Sequence, residues 1–290
     1  MHAEKANCPV AFMAAELGVS RQGYAKWAAR QGTPAGPRAA SNAVLRAEIA
    51  RIFLAKRCRY GAPRMTAELR RQGWTVGKNR VARLMAEAGL AGRRARRWLP
   101  RTTEIDPASK PAANVVARHF APARPDAVWV TDITYLATDE GWLYLAAIVD
   151  CYSRAVVGWA TASHMRDELC LAALDDAIAR RRPAAGLVHH SDRGSQYSGH
   201  DYQKRLSDHH MTCSMSRKGN CWDNAVAESL WATIKRELID GEQWHSRAEL
   251  NAALFEYIEV FYNRERLHSF LDNTTPQEYD YMYRMSPVAA

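Results

Sequence analysis

The sequence predicts an α/β domain, a mixed five-stranded sheet with helices, preceded by an α-helical region of helix-turn-helix type. Three observations lead there. Residues 1–110 carry 22 Lys/Arg against 7 Asp/Glu (+15), whereas residues 111–290 carry 18 against 24 (−6), which together give the net +9. The first hundred residues read as short helices separated by glycine turns. After Asp126 the pattern turns to β-branched and aromatic runs, which later alternate with helices.

Composition bounds the class. With 290 residues, 47% apolar and 24% charged, the chain is an ordinary globular protein of one large or two to three small domains. Apolar runs such as Leu143 to Val149 fall far short of the ~18 residues of a membrane span. The apolar stretch Pro9 to Ala15 ends at Glu16 with no small-residue cleavage site, so no secretory signal is expected. Cysteines 8, 58, 151, 170, 213 and 221 stand singly, against both a disulfide framework and a Cys-x-x-Cys zinc site. A basic front and an acidic back suggest a polyanion-binding module joined to one that uses carboxylates, as against a merely solvated basic face.

Residues 1–40 predict a helical segment of helix-turn-helix character: a helix from Phe12, a turn at Gly18, and a second helix capped by Ser20 with Tyr24 and Trp27 on one face. Gly32 to Pro37 breaks the chain. Residues 41–98 predict a helix-turn-helix DNA-binding domain. Its helices run from about Asn42 to Lys56, from Met65 to Gln72, and from Lys78 to Ala88, the last ended by Gly89. Lys78, Arg80 and Arg83 are expected on the exposed face of the last helix, with Val81, Leu84 and Met85 packing inward. Arg93, Arg94, Arg96 and Arg97 add a basic run suited to phosphates. Residues 99–126 hold five of the twelve prolines and predict a linker.

Residues 127–240 predict the α/β core. Strands are expected at Val128–Leu136, Leu143–Val149, Ala155–Thr161, Gly186–His190 and Met211–Met215. Helices are expected at Leu169–Arg181, about His200–His209 and about Asn224–Ile239. Residues 241–290 predict a helical extension, with a helix near Arg247–Tyr262.

Three carboxylates stand out by position. Asp132 lies inside an apolar strand, where a charge is costly unless partnered or metal-bound. Asp192 follows a strand directly, and Glu228 lies on a helix; the spacings are 60 and 36. Singly, each has a duller reading: a buried Asp–Arg pair, a turn residue, a solvated helix position. Together, with Trp129-Val130-Thr131-Asp132-Ile133-Thr134-Tyr135, His190 to Tyr197, Ser216 to Ala225, Tyr262 to His268 and Thr275 to Tyr279, they resemble the DDE transposases and retroviral integrases. More closely, the chain resembles the catalytic second-frame (OrfB) proteins of the IS-three insertion-sequence family, from about Pro9 to Tyr279. The His/His/Cys/Cys zinc domain of integrases is absent, since residues 1–110 contain only His2.

The resemblance implies a ribonuclease-H-like catalytic core in which Asp132, Asp192 and Glu228 are catalytic and hold two Mg²⁺ ions, with Mn²⁺ able to substitute. Hard divalent ions favour carboxylate oxygens, and two of them can stabilise both attacking and leaving oxygens. Lys235, on the face of Glu228 and seven residues on, matches a basic position suited to phosphate. Arg217 and Lys218 are further DNA contacts, with His190 and Asn224 auxiliary. His190 either lines the site or packs as a core histidine, and Asp150 either touches metal or caps a turn. Tyr262, Asn263, Arg266 and His268 either fix the C-terminal helix or hold DNA, and His209 and Cys213 are structural.

The resulting expectation is a cytoplasmic, nucleoid-associated transposase that binds terminal inverted repeats and target DNA as a homo-oligomer. It would cleave and join strands, alone or with the first-frame protein. Starting at Met1, the chain is expected to be the second frame alone, a truncation, or a fold-competent half of a fusion. A junction resolvase and a domesticated DNA-binding regulator are the alternatives.

Overall fold

The computed structural model describes residues 1–30, 36–93, 112–217 and 224–286. Arg94, Arg96, Arg97 and Lys218 lie outside the described residues. In the N-terminal part, α1 (Val10–Glu16) and α2 (Arg21–Arg30) precede a three-helix unit of α3 (Pro37–Ala55), α4 (Ala62–Arg71) and α5 (Lys78–Glu87). Ser20 Oγ accepts from Gly23 N (2.9 Å), the cap the sequence predicts. α3 begins five residues before the expected Asn42, because Pro37 occupies the first helical position after Gly36, where its fixed φ suits a helix start. Leu45, Ile49, Met65, Leu69, Val81 and Leu84 are buried between the three helices.

The core sheet has strand order β3-β2-β1-β4-β5. β1 (Val128–Thr138), β2 (Gly141–Asp150) and β3 (Val156–Ala162) form an antiparallel meander, while β4 (Val188–Ser191) and β5 (Thr212–Met215) add in parallel. α6 (Asp167–Arg181), α7 (Ser195–Ser198) and α8 (His200–Asp208) provide the crossovers. Alternation divides the side chains between two faces. Leu143, Leu145, Ala147 and Val149 join the core under α9 (Ala225–Ile234) and α10 (Arg247–Phe255), whereas Ile148 packs with α6 and α8. α6 crosses β3 so closely that a Cβ at Gly158 would lie 2.5 Å from Ala173 O. This is the mixed five-stranded, ribonuclease-H-like arrangement that the sequence predicts.

Two departures matter for the site. α9 does not continue as α-helix to Ile239; Lys235–Ile239 form a π-helical turn, which buries the consecutive residues Glu237 and Leu238. A second π-helical stretch, Glu256–Glu265, extends α10, and a helix the sequence reading did not name, α11 (Pro276–Arg284), follows.

The expected linker is also partly structured. Val116 is buried, Val115 N donates to Ser214 Oγ (2.9 Å), and Phe120 O accepts from Arg154 Nη2 (3.0 Å). The end of that segment is therefore docked on the core. The helix-turn-helix unit is docked too. Lys56 pairs with Glu265 (3.1 Å), Arg71 with Glu278 (2.6 Å) and Arg57 with Glu256. Glu237, itself buried, takes Arg64 (2.8 Å) together with both Nε and Nη2 of Arg266 (2.9 Å each) and the Tyr257 hydroxyl (2.9 Å). Among the described residues no helix is long and apolar enough to cross a membrane.

Candidate active site

Asp132 projects from the middle of β1 toward α9. Its Oδ2 accepts from Trp231 Nε1 (3.0 Å) and its Oδ1 from the Ile133 N–H (2.9 Å). Among the described residues no Lys or Arg forms an ion pair with it, so the Asp–Arg reading of this strand position does not hold. Burial, with the nearby negative charge of Asp192 and a smaller effect of Glu228, pushes its carboxyl up to about 7.

The sheet register explains why Asp192 is near. β1 and β4 pair Val128 with Val188 and Val130 with His190, a constant offset of 60. Asp132 and Asp192 have the same offset, which places Asp192 alongside Asp132 where β4 ends. Asp192 Oδ1 accepts from Gly194 N (2.9 Å), which fixes the turn into α7. Glu228 lies in the first turn of α9, exposed, with its carboxyl raised by partial desolvation. It is one helical turn before Trp231, so the residue that holds Asp132 and the residue proposed to work with it share a face. Among the described residues no three His, Cys, Asp or Glu side chains stand as a group that could hold a metal ion. The three carboxylates are electrostatic neighbours, with Glu228 at the solvent side.

Lys235 begins the π-helical turn, partly buried, with its Nζ 5.6 Å from the centroid of the Tyr135 ring. Asn224 precedes α9 and is buried, yet its Oδ1 has no hydrogen-bond partner among the described residues. Two alternatives left open by the sequence are decided by the contacts. His190 does not line the site: it is fully buried, with Nδ1 2.9 Å from Ser214 Oγ, Nε2 3.2 Å from Ser216 Oγ, and Phe120 edge-on at 6.0 Å. The close packing of β5 and the docked segment before β1 accounts for that. Asp150 is no metal ligand, since its oxygens accept from Asp126 N (3.0 Å), Ser153 N (2.8 Å) and Ser153 Oγ (2.6 Å), so it caps the turn after β2.

The C-terminal motif residues fix structure. Asn263 acts as an extra strand partner, with Oδ1 accepting from Val156 N (3.0 Å) and Nδ2 donating to Val156 O (2.9 Å). Arg266 grips Glu237, and His268 beside it is pushed down to about 2 by burial and by the Arg266 charge. Trp231 and the Glu237 cluster escaped the sequence reading. Trp231 carries a signal, its i+3 relation to Glu228, whereas Glu237, Arg64 and Arg266 are too far apart in sequence to suggest one another.

The proposed DNA contacts differ in their surroundings. Lys78 is exposed at the start of α5 and Arg217 is exposed after β5. Arg80 donates to Asn42 Oδ1 (3.0 Å) and Ser41 Oγ (2.9 Å), and Arg83 pairs with Glu87 (2.5 Å). Arg93 donates to Asp240 O (3.1 Å) and pairs with Glu242, so it is committed to the core.

Both parts of the chain match known sequence families. Residues 122–221 and 209–276 match two families described as integrase core domains, and residues 40–98 match an HTH-like domain. A 31 kDa protein of insertion element IS600 from Shigella sonnei is 42% identical over 267 residues, covering 92% of this chain and 97% of that one. Transposase InsF of insertion sequence IS3A from Escherichia coli K12 is 37% identical over 278 residues, 95% of each chain. Among solved structures, a simian T-cell lymphotropic virus intasome matches with TM-score 0.49 and 14% identity, covering 82% of this chain and 76% of that one. The HTLV-2 integrase catalytic core in complex with magnesium matches at 0.42 and 18%, covering 55% and 98%. By its sequence relatives and its integrase core, the chain belongs to the IS3 (IS-three) family of insertion-sequence transposases, enzymes of the polynucleotidyl transferase type.

Proposed function

We propose that this transposase binds the terminal inverted repeats of its own element and carries out divalent-metal-dependent strand cleavage and strand transfer through Asp132, Asp192 and Glu228. The observation that carries the reading is Asp132: a partly buried carboxylate with raised proton affinity, beside two further carboxylates and with no Lys or Arg ion pair among the described residues. An acid so placed is ionised at neutral pH most readily when a cation is supplied. Carboxylate oxygens are the donors that Mg²⁺ prefers, with Mn²⁺ as substitute, and the three carboxylates, which do not stand as a ready group among the described residues, would have to draw together around the ion. Each Asp132 oxygen takes one hydrogen bond and keeps a lone pair, and Mg²⁺ retains waters, so a few carboxylates suffice. When bound, two such ions would supply Lewis-acid stabilisation of the attacking and leaving oxygens.

The chain's own residues do the rest. Trp231 fixes the orientation of the Asp132 carboxylate, and Gly194 N does the same for Asp192. Lys235, at the edge of the site, reaches a phosphate beside the scissile bond. Water attacks at the element's end, and the freed 3′-hydroxyl attacks in strand transfer; no protein nucleophile is required. Lys78 and Arg217, with Arg80 and Arg83 once released from Asn42 and Glu87, hold duplex DNA. Assembly as a homo-oligomer on DNA, association with a first-frame protein, and action in the bacterial cytoplasm at the nucleoid belong to the same reading. The test is incubation with Mg²⁺ and the DNA flanking the gene. Nicks at two inverted ends and joined products are expected; DNA bound and left uncut in both Mg²⁺ and Mn²⁺ would refute it.

A further inference from the structure

β1 is unusually open beyond Asp132. β4 pairs only with Val128 to Val130, so among the described residues the stretch from Asp132 to Thr138 is paired on one side alone, to β2. Lys235 reaches around this free edge to lie over Tyr135, whose ring meets Trp142 edge to face at 4.8 Å. Trp142 is 46% exposed, a large apolar surface left open beside the Tyr135 ring over which Lys235 lies. The support beneath it is rigid. Arg247 donates to Trp142 O (3.0 Å) and Glu140 O (2.7 Å), and Glu140 in turn accepts from Arg247 N (2.9 Å). Asp139, the other acid of this hairpin, is held by His245 (2.8 Å). The Asp139 carboxylate thus has the His245 ring as partner and the Glu140 carboxylate the Arg247 main-chain N–H, while the Arg247 guanidinium serves main-chain carbonyls.

We propose that Tyr135 and Trp142 form a stacking platform for one unpaired base of the DNA end, next to the phosphate that Lys235 holds. The inference rests on the proposed nuclease reading and extends it with a binding subsite. Asp132 and Tyr135 are three residues apart, ~10 Å along an extended strand, and alternation puts them on opposite faces of β1; a strand cut at Asp132 would cross the free edge beside Lys235, which lies over Tyr135, to reach the platform. Aromatic faces stack any base, and a neighbouring ammonium supplies the phosphate contact that positions it. The platform therefore opens the terminal base pair without reading its identity.

The test uses the full chain, Mg²⁺ and two duplexes carrying the DNA that borders its gene, one fully paired and one mismatched at the terminal base pairs. Stacking strength predicts that Trp142→Ala cleaves the paired end at least about tenfold more slowly, the equivalent of about 1.4 kcal/mol. It should cleave the mismatched end within about threefold of the wild-type rate. Trp142→Phe should keep both rates, and the melting temperature should not move, since a structural role would shift it. Wild-type rates for Trp142→Ala on the paired end, or an equal loss on both ends, would overturn the platform while leaving the nuclease reading intact. A wild-type chain that cuts neither duplex would overturn both.

Discussion

Replacing Glu237 with Gln should destabilise the whole chain by about 3 kcal/mol at pH 7. Glu237 is 1% exposed, and its two oxygens serve Arg64, Arg266 and Tyr257. Against the cost of burial, the Arg266 contacts and the Arg64 charge hold its carboxyl down at about 2, from an ordinary 4.5. At about 1.4 kcal/mol per unit this amounts to about 3 kcal/mol, close to the 3–5 kcal/mol typical of breaking a buried ion pair by removing one partner. The sign follows from linkage. A carboxyl depressed on folding contributes stability that is present in full above its unfolded value of about 4.5 and fades as pH falls toward 2. The gap between wild type and Glu237→Gln should therefore be widest from pH 6 to 8 and shrink steadily below about pH 4.5. Spread over 290 residues, a 3 kcal/mol loss lowers the melting temperature by about 5 °C. Melting curves followed by circular dichroism at pH 7, 5 and 3.5 measure it. A loss below 1 kcal/mol at pH 7, or a gap that does not narrow with acid, would refute the argument that this one carboxylate pins the helix-turn-helix unit to the core.

Lys78→Ala should reduce the slope of log K against log salt for DNA binding by about one while leaving stability unchanged; Arg93→Ala, whose guanidinium is held by Asp240 and Glu242, should leave the slope as it is. Gly158→Ala should cost at least 1–3 kcal/mol in denaturant titration, since its Cβ would meet α6 backbone at 2.5 Å; a neutral result would mean that β3 and α6 separate freely. Lys235→Ala should weaken binding of the DNA end and slow cleavage, with partial rescue by more DNA and none by more Mg²⁺; a variant rescued by Mg²⁺ would place Lys235 at the metal instead.

Much of the core was legible because its physics is local. β1 and β2 reveal themselves through runs of β-branched, aromatic and apolar residues, and Asp132 stands out as the one charge inside β1. The offset of 60 between Asp132 and Asp192 is in sequence what the β1–β4 register is in space. The helix-turn-helix unit was legible from Gly73, Gly89 and the inward set Val81, Leu84 and Met85. The misses are long-range or depend on a small signal. α11 was announced only by Thr275 and Glu278, which form a capping box. The π-helical turn after α9 and the docked segment before β1 both answer to packing partners distant in sequence, Arg266 and Ser214 among them. His190 was ambiguous for the same reason: nothing in its neighbourhood along the chain points to Ser214 or Ser216.

The most direct test of the central claim is a single gel. The full chain and its Asp132→Asn, Asp192→Asn and Glu228→Gln variants are each given end DNA and Mg²⁺, with binding measured on the same samples. The account predicts that all three variants bind the DNA within a few-fold of wild type and yield neither nicked nor joined product. Asp150→Asn should keep its chemistry and lose stability, because Asp150 caps a turn. Near-normal strand transfer by any of the three variants would contradict the account and remove that residue from the active site.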